Sequence, residues 1–202
     1  MPAESRTHQI GVMLFDGFDL LDVCGPLEVF AVAPGRFDVT LIGPAAGPVT
    51  SAAGIRVIAD VSYADAAMSD AGAPPLDVAL VPGGPGTRTL AGDPASSAWL
   101  RRWASGARLA ASVCTGAALL AAAGLLNGYR ATSNRRAFDW VRQHGERVTW
   151  VDGVRWVEDR DRWTSAGVSA GIDMTLALVG SFHGDAAARE AAARMEYAWN
   201  RP

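Results

Sequence analysis

The sequence predicts an α/β protein, a mainly parallel central sheet with helices on both faces. Three observations carry that prediction. Ile10 to Phe15 (IGVMLF) and Leu76 to Val81 (LDVALV) are apolar at nearly every position, as strands buried on both faces are. These runs alternate with stretches of helical apolar spacing, which implies βαβ units. Strand-like runs also stop abruptly in turn residues, at Asp16-Gly17 and at Pro82-Gly83-Gly84-Pro85-Gly86.

Each element follows from local pattern. After the first strand, Phe18 to Ala33 has the apolar spacing of a helix against a sheet, with Gly25-Pro26 expected at a break or in its first turn. Phe37 to Ile42 reads as a second strand. Gly43 to Ile58 is rich in Gly, Pro and Ser and reads as a hairpin excursion through Pro48–Thr50 and Ile55–Ile58. Pro94 to Ser105 is a helix capped by Asp93. The small-residue strand Leu109 to Val113 leads into Cys114-Thr115-Gly116, and a helix from Ala117 to Ala123 closes at Gly124. Arg135 to His144 is expected to be helical and Val148 to Val157 a hairpin around Asp152-Gly153. A short strand, Trp163 to Ser165, precedes helices near Ser169–Phe182 and Ala186–Trp199. No repeat or composition shift divides the chain, so one domain over residues 1–202 is expected.

Composition narrows the function. Of 202 residues, 50% are hydrophobic and 19% charged, which excludes a largely disordered chain. The net charge is −3 and all 18 basic residues are arginine, which leaves no footprint for nucleic acid and no polybasic membrane anchor. Residues 1–9 lack the pattern of a signal peptide, and no apolar run is long enough to span a bilayer. A cytoplasmic location is expected, where thiols stay reduced. Two cysteines, Cys24 and Cys114, are too few for a disulfide framework or a cysteine-based zinc site.

Three features fall where open parallel sheets bind ligands, beyond the carboxyl ends of the strands. Cys114 lies on a tight strand-to-helix turn. There it is either a nucleophile, its thiolate favoured by the following helix N-terminus, or a buried structural cysteine. The Pro82–Gly86 segment is either a backbone donor site for developing negative charge or a plain tight turn. Asp22, in an apolar setting of Leu20, Leu21 and Val23, is either a general acid–base with a raised pKa or a carboxylate satisfied at a helix start. The seven tryptophans read as core or interface anchors, and Arg135 and Arg136 either edge the site or form a solvated helix face.

Together, Asp22-x-x-Gly25-Pro26, Pro82-Gly83-Gly84-x-Gly86 and Ser112-Val113-Cys114-Thr115-Gly116 resemble the ThiJ/PfpI superfamily, within it the isocyanide hydratase branch. The resemblance continues through Ala122–Gly128, Arg130-Ala131-Thr132 and Ala170-Gly171-Ile172-Asp173. It implies a flavodoxin-like three-layer sandwich with a nucleophile elbow, homodimers, a small-molecule substrate, and no metal or organic cofactor. By position it implies Cys114 as nucleophile, Asp22 as acidic partner, Gly84 and Thr115 N–H groups as an anion-binding pair, and Asp173 in a structural or supporting place. The implied reaction adds water to an isocyanide: Cys114 attacks the terminal carbon, Asp22 supplies the proton and then deprotonates the water.

Departures from the superfamily discriminate further. Protease-like relatives carry a histidine after the nucleophile, where this chain has Thr115. Many relatives have a histidine where this chain has Asn134. Only His8, His144 and His183 exist, so a Cys–His hydrolase is disfavoured. The alternatives are a redox-sensing or glyoxal-processing stress protein and a stand-alone ligand-sensing domain like those of AraC-type regulators. Cys24 is either a resolving cysteine within reach of Cys114 or a bystander.

Overall fold

The computed structural model describes residues 6–67 and 75–201. In chain order the elements are β1 (Thr7–Met13), α1 (Leu20–Val32), β2 (Arg36–Gly43), β3 (Gly47–Thr50), β4 (Arg56–Ala59), β5 (Val61–Ser62), α2 (Tyr63–Ala67), β6 (Val78–Val81), α3 (Thr87–Leu90), α4 (Pro94–Ser105), β7 (Leu109–Val113), α5 (Gly116–Ala122), β8 (Arg130–Ala131), α6 (Phe138–Val141), β9 (Thr149–Trp150), β10 (Trp156–Asp159), β11 (Arg162–Ser165), α7 (Ala170–His183) and α8 (Asp185–Arg194). Seven strands make one sheet in the order β10-β11-β7-β6-β1-β2-β5. Every pairing in it is parallel except β10 with β11.

This is a flavodoxin-like α/β fold, and its central strands are the apolar runs of the sequence. β6 and β7 are buried throughout, and Ile10, Val12 and Leu14 have no exposed surface. Each such aliphatic side chain contributes roughly 1.5–3 kcal/mol by leaving water. From β1 the chain crosses towards one sheet edge, to β2; from β6 it crosses towards the other, to β7. Right-handed crossovers therefore put α1 and α4 on opposite faces. Accordingly α1 packs with α7 and α8, whereas α4 packs with α2 and α5. The change of direction between β1 and β6 opens a crevice at their carboxyl ends.

Several elements match the sequence reading closely. Asp93 caps α4 by accepting from the N–H groups of Ala95 and Ser96. Gly124, at φ +74, follows α5 and donates to Ala121 O. The excursion after β2 is the antiparallel hairpin β3–β4.

Four details differ. Val148 to Val157 is not a hairpin: β9 pairs in parallel with β8, and β10 turns instead at Arg160-Asp161 onto β11. Gly153 does turn, at φ +80 with its N–H on Asp152 Oδ1, but it links strands that do not pair. The true turn puts Arg160 at φ 55, a conformation held by its guanidinium, which lies 3.8 Å from the Tyr129 ring centroid and donates to Gly128 O. Gly25-Pro26 lies inside α1 with both residues buried, because that face packs on α7. Residues 135–144 are helical but run from 3-10 through α to 3-10. The last helix stops at Arg194, ahead of a non-helical tail carrying Trp199. Among the tryptophans, Trp99, Trp103 and Trp163 are buried, and Trp140, Trp150, Trp156 and Trp199 pack half-buried against the core.

Candidate active site

Three loops meet in the crevice. The first, after β1, is pinned by the β3–β4 hairpin: Gly17 N–H donates to Thr50 O, Ala52 N–H to Phe18 O, and Thr50 N–H to Asp16 Oδ1. It is tied to the second loop by Asp19 N–H on Gly83 O at 2.8 Å. The third loop carries Cys114 at φ 58, a strained strand-to-helix turn. The turn is held from several sides. Cys114 N–H is shared between Ser165 O and Ala166 O at 3.1 and 3.3 Å, and Cys114 O accepts from Ser133 Oγ at 2.7 Å. Glycine is obligatory where these loops cross: a Cβ on Gly116 would stand 2.3 Å from Val81 O, and one on Gly83 2.6 Å from Thr115 N.

Asp22 has no exposed surface. Its Oδ2 accepts Gly83 N–H at 2.9 Å, and its Oδ1 has no hydrogen-bond partner. Carboxylate oxygens of Asp19 and Asp22 and the Cys114 sulfur lie within 4.8 Å of one another. Burial pushes Asp22 up to about 7, aided by the Asp19 charge and opposed by the Gly83 N–H and the Cys114 thiol. Cys114 is pushed up to about 12 by burial and by the Asp22 charge, against the pull of Thr115 N–H and Asn134. The helix N-terminus that favours a thiolate is therefore opposed by loss of hydration, the larger effect at this short helix, which favours a thiol beside a carboxyl poised near neutrality. As a metal-ligating set, the Cys114 thiol and the Asp22 carboxyl would first have to shed the protons that burial favours.

The expected donor pair is differently engaged. Gly84 N–H points at Thr115 Oγ1 (2.9 Å), not into open space. Thr87 Oγ1 donates to Gly84 O at 2.7 Å and lies 3.1 Å from Thr115 Oγ1, completing a buried knot between the two loops. Gly83, one residue earlier, is the glycine whose N–H faces the acid. Thr115 N–H lies against the Cys114 sulfur.

Asn134 supplies the other donor to that sulfur, Nδ2 at 3.1 Å. Its orientation is set by its own helix: Oδ1 caps residues 135–137 by accepting from Arg136 and Ala137 N–H, so the NH₂ must face the sulfur. An amide in this place donates a hydrogen bond but does not exchange protons. Asp19 was absent from the sequence reading, although the spacing Asp19-x-x-Asp22 puts both acids on one side of a helix start.

Other expected residues lie elsewhere. Asp173 is buried in α7, where its carboxylate binds Arg155 Nε at 2.6 Å and Asn200 N–H at 2.9 Å, and its carbonyl accepts from Trp199 Nε1. It fastens the C-terminal tail, so Asp173→Asn should destabilise the fold by about 2–4 kcal/mol in urea titration. The chemistry at Cys114 should be unchanged. Cys24 is exposed, while Asp22, two positions earlier, is buried. Such positions differ by about 200° around a helix, which turns Cys24 away from the crevice. Arg135 donates to Gly153 O and Arg136 is exposed. His8 opens β1, His183 ends α7, and His144 faces Trp140; none of them bonds the Cys114 sulfur.

Comparison with known proteins agrees with this architecture. The family model for "DJ-1/PfpI family" matches residues 8–181. The chain is 36% identical over 190 residues to isonitrile hydratase of Pseudomonas putida, covering 94% of this chain and 78% of that protein. It is 29% identical over 194 residues to the HTH-type transcriptional regulator GbdR of Pseudomonas aeruginosa, covering 91% of this chain and 49% of the regulator. A crystal structure of a ThiJ/PfpI family protein from Pseudomonas syringae superposes with a TM-score of 0.82 at 30% identity, over 98% of this chain and 78% of that one. With a family match across most of its length and a cysteine on a left-handed strand-to-helix turn over an acid-bearing crevice, the chain belongs to the DJ-1/PfpI family.

Proposed function

We propose that this chain is a cysteine-dependent isocyanide hydratase-like lyase, converting R–N≡C to an N-substituted formamide. The observation that carries this reading is the sealed Cys114–Asp22 pair, with the amide of Asn134 where a proton-transferring histidine would serve a hydrolase. Splitting an amide requires a group that protonates a departing amine; hydrating an isocyanide does not. Supporting it is the 36% identity to a protein named for this activity. The terminal carbon of an isocyanide also ends a slender linear group, suited to a cysteine that is only 2% exposed.

In this mechanism Asp22 takes the Cys114 proton as sulfur bonds to the terminal carbon, and delivers it to that carbon. The product is a thioimidate. Water adds to it, and collapse of the tetrahedral species expels the sulfur and leaves the formamide. Thr115 N–H and Asn134 Nδ2 steady the sulfur as charge grows on it. The knot through Gly84 and Thr115 Oγ1 holds the loops in register. The reading carries with it a homodimer in a reducing cytoplasm, working as one domain on a small molecule. Light scattering checks the dimer.

The test is formamide production from isocyanides of different R, run beside methylglyoxal consumption. Formamide release supports the hydratase, whereas methylglyoxal loss without formamide overturns it. A redox-sensor role fits the site poorly, since sensor cysteines are accessible and Cys114 is only 2% exposed. A ligand-sensing role draws on one observation, the match to half of a transcriptional regulator. Saturable isocyanide binding without product would favour it.

A further inference from the structure

The crevice holds one carboxylate more than the proposed reaction has so far used. Asp22 is sealed from solvent, one oxygen is committed to Gly83 N–H, the other has no hydrogen-bond partner, and the carboxylate lies within 4.8 Å of the sulfur. It is well placed to move the thiol proton and poorly placed to meet a water arriving from outside. Asp19 has the complementary position. It is half-buried, and its carboxylate lies within 4.8 Å of both Asp22 and the Cys114 sulfur. It precedes α1 yet its side chain makes no capping bond to that helix, so its oxygens are not spent on holding the fold. Its backbone, by contrast, is fixed by Asp19 N–H on Gly83 O and Asp22 N–H on Asp19 O.

We propose that Asp19 is the base that activates the attacking water in the second half of the reaction, leaving Asp22 to the first. The assignment rests on the isocyanide reading above. Starting from the thioimidate Cys114–S–CH=N–R, Asp19 takes a proton from water as the oxygen bonds to carbon. The C=N π pair moves to nitrogen, which receives that proton from Asp19. Asp22 then takes the remaining hydroxyl proton as C=O forms and the C–S bond breaks onto sulfur. Asp22 returns the proton to sulfur, giving R–NH–CHO and the resting thiol. Two carboxylates differing in burial divide acid and base work in this way, the sealed one exchanging protons with sulfur and the half-buried one meeting the water.

The test mixes wild type, Asp19→Asn, Asp19→Glu and Asp22→Asn with cyclohexyl isocyanide, following formamide release and the intact mass of the protein. Asp19→Asn should still load one isocyanide onto Cys114, accumulate that adduct, and release formamide ~10²–10⁴-fold more slowly. Asp19→Glu should recover part of the release, and Asp22→Asn should load ~10²–10⁴-fold more slowly without accumulating the adduct. A merely structural Asp19 would slow loading and release together, which the mass record separates; thermal melting verifies that each variant is folded. Release at the wild-type rate from Asp19→Asn, or its failure to load, overturns the assignment while the hydratase reading stands. An inert wild type overturns both.

Discussion

Replacing Cys114 by alanine should abolish formamide production, with a loss of at least ~10⁴-fold, and should leave the protein folded. The fold tolerates the change because alanine keeps the Cβ and loses only the sulfur of a residue that is 2% exposed. The backbone at φ 58 is held by Ser165, Ala166 and Ser133, none of which bonds the side chain. Serine should be nearly as inactive. A hydroxyl beside Asp22 is a far weaker nucleophile than a thiol, and the site offers no imidazole to activate it. Intact mass after exposure to an isocyanide gives the second readout, an adduct on the wild type and on Cys24→Ser but none on Cys114→Ala. Full turnover by Cys114→Ala would remove the nucleophile assignment altogether.

Asp22→Asn should lose activity and gain stability together. Activity should fall ~10²–10⁴-fold, since the variant no longer takes the thiol proton. Stability should rise because the wild type buries a group that burial pushes up from the ordinary 3.8 to about 7. The unfolded chain releases that proton near 3.8 and the native one only near 7, so the native state binds the extra proton between these values. Wild-type stability therefore declines as pH rises through that window, and the full cost is present above it. Asparagine can keep the bond to Gly83 N–H and has no charge to bury. The two proteins should differ little near pH 3 and diverge to about 2–4 kcal/mol by pH 8, which urea titration at several pH values measures. A variant less stable than wild type at pH 8 would contradict the burial argument. Such opposition between activity and stability is typical of strained, desolvated active sites.

How much of this was legible before the structure depends on the range of the forces involved. The strands β1, β6 and β7 were readable because burial on both faces demands apolar residues at successive positions. The cap at Asp93 was readable because its bonds are made to residues two and three positions away. The hairpin around Asp152-Gly153 misled because a good local turn does not determine which strands pair. Contacts from Tyr129 and Gly128 to Arg160 chose a different turn. At the site, Cys114, Asp22, Gly84 and Thr115 were named from motifs, and the structure brings all four together. What the motifs did not carry was direction: Gly84 N–H turned onto Thr115 Oγ1, and Gly83 onto Asp22. Asp173 shared the family pattern but lies in the α7 clamp with Arg155. The protonation of Cys114 was left open between two alternatives because desolvation is a property of the whole packed crevice, invisible from one helix start.

The amide of Asn134 constrains how this chain can change over time. One group performs two duties, its oxygen starting the helical segment after it and its nitrogen facing the sulfur. A lineage that introduced histidine here, to acquire hydrolase chemistry, would surrender the cap at about 1 kcal/mol in the same mutation. Gly167 adds a steric condition, since any Cβ there would meet Asn134 Nδ2 at 2.5 Å. Positions 134 and 167 are thus coupled: Asn134 is held by its cap and hemmed in by the bare backbone of Gly167, so a change at either one is felt at the sulfur.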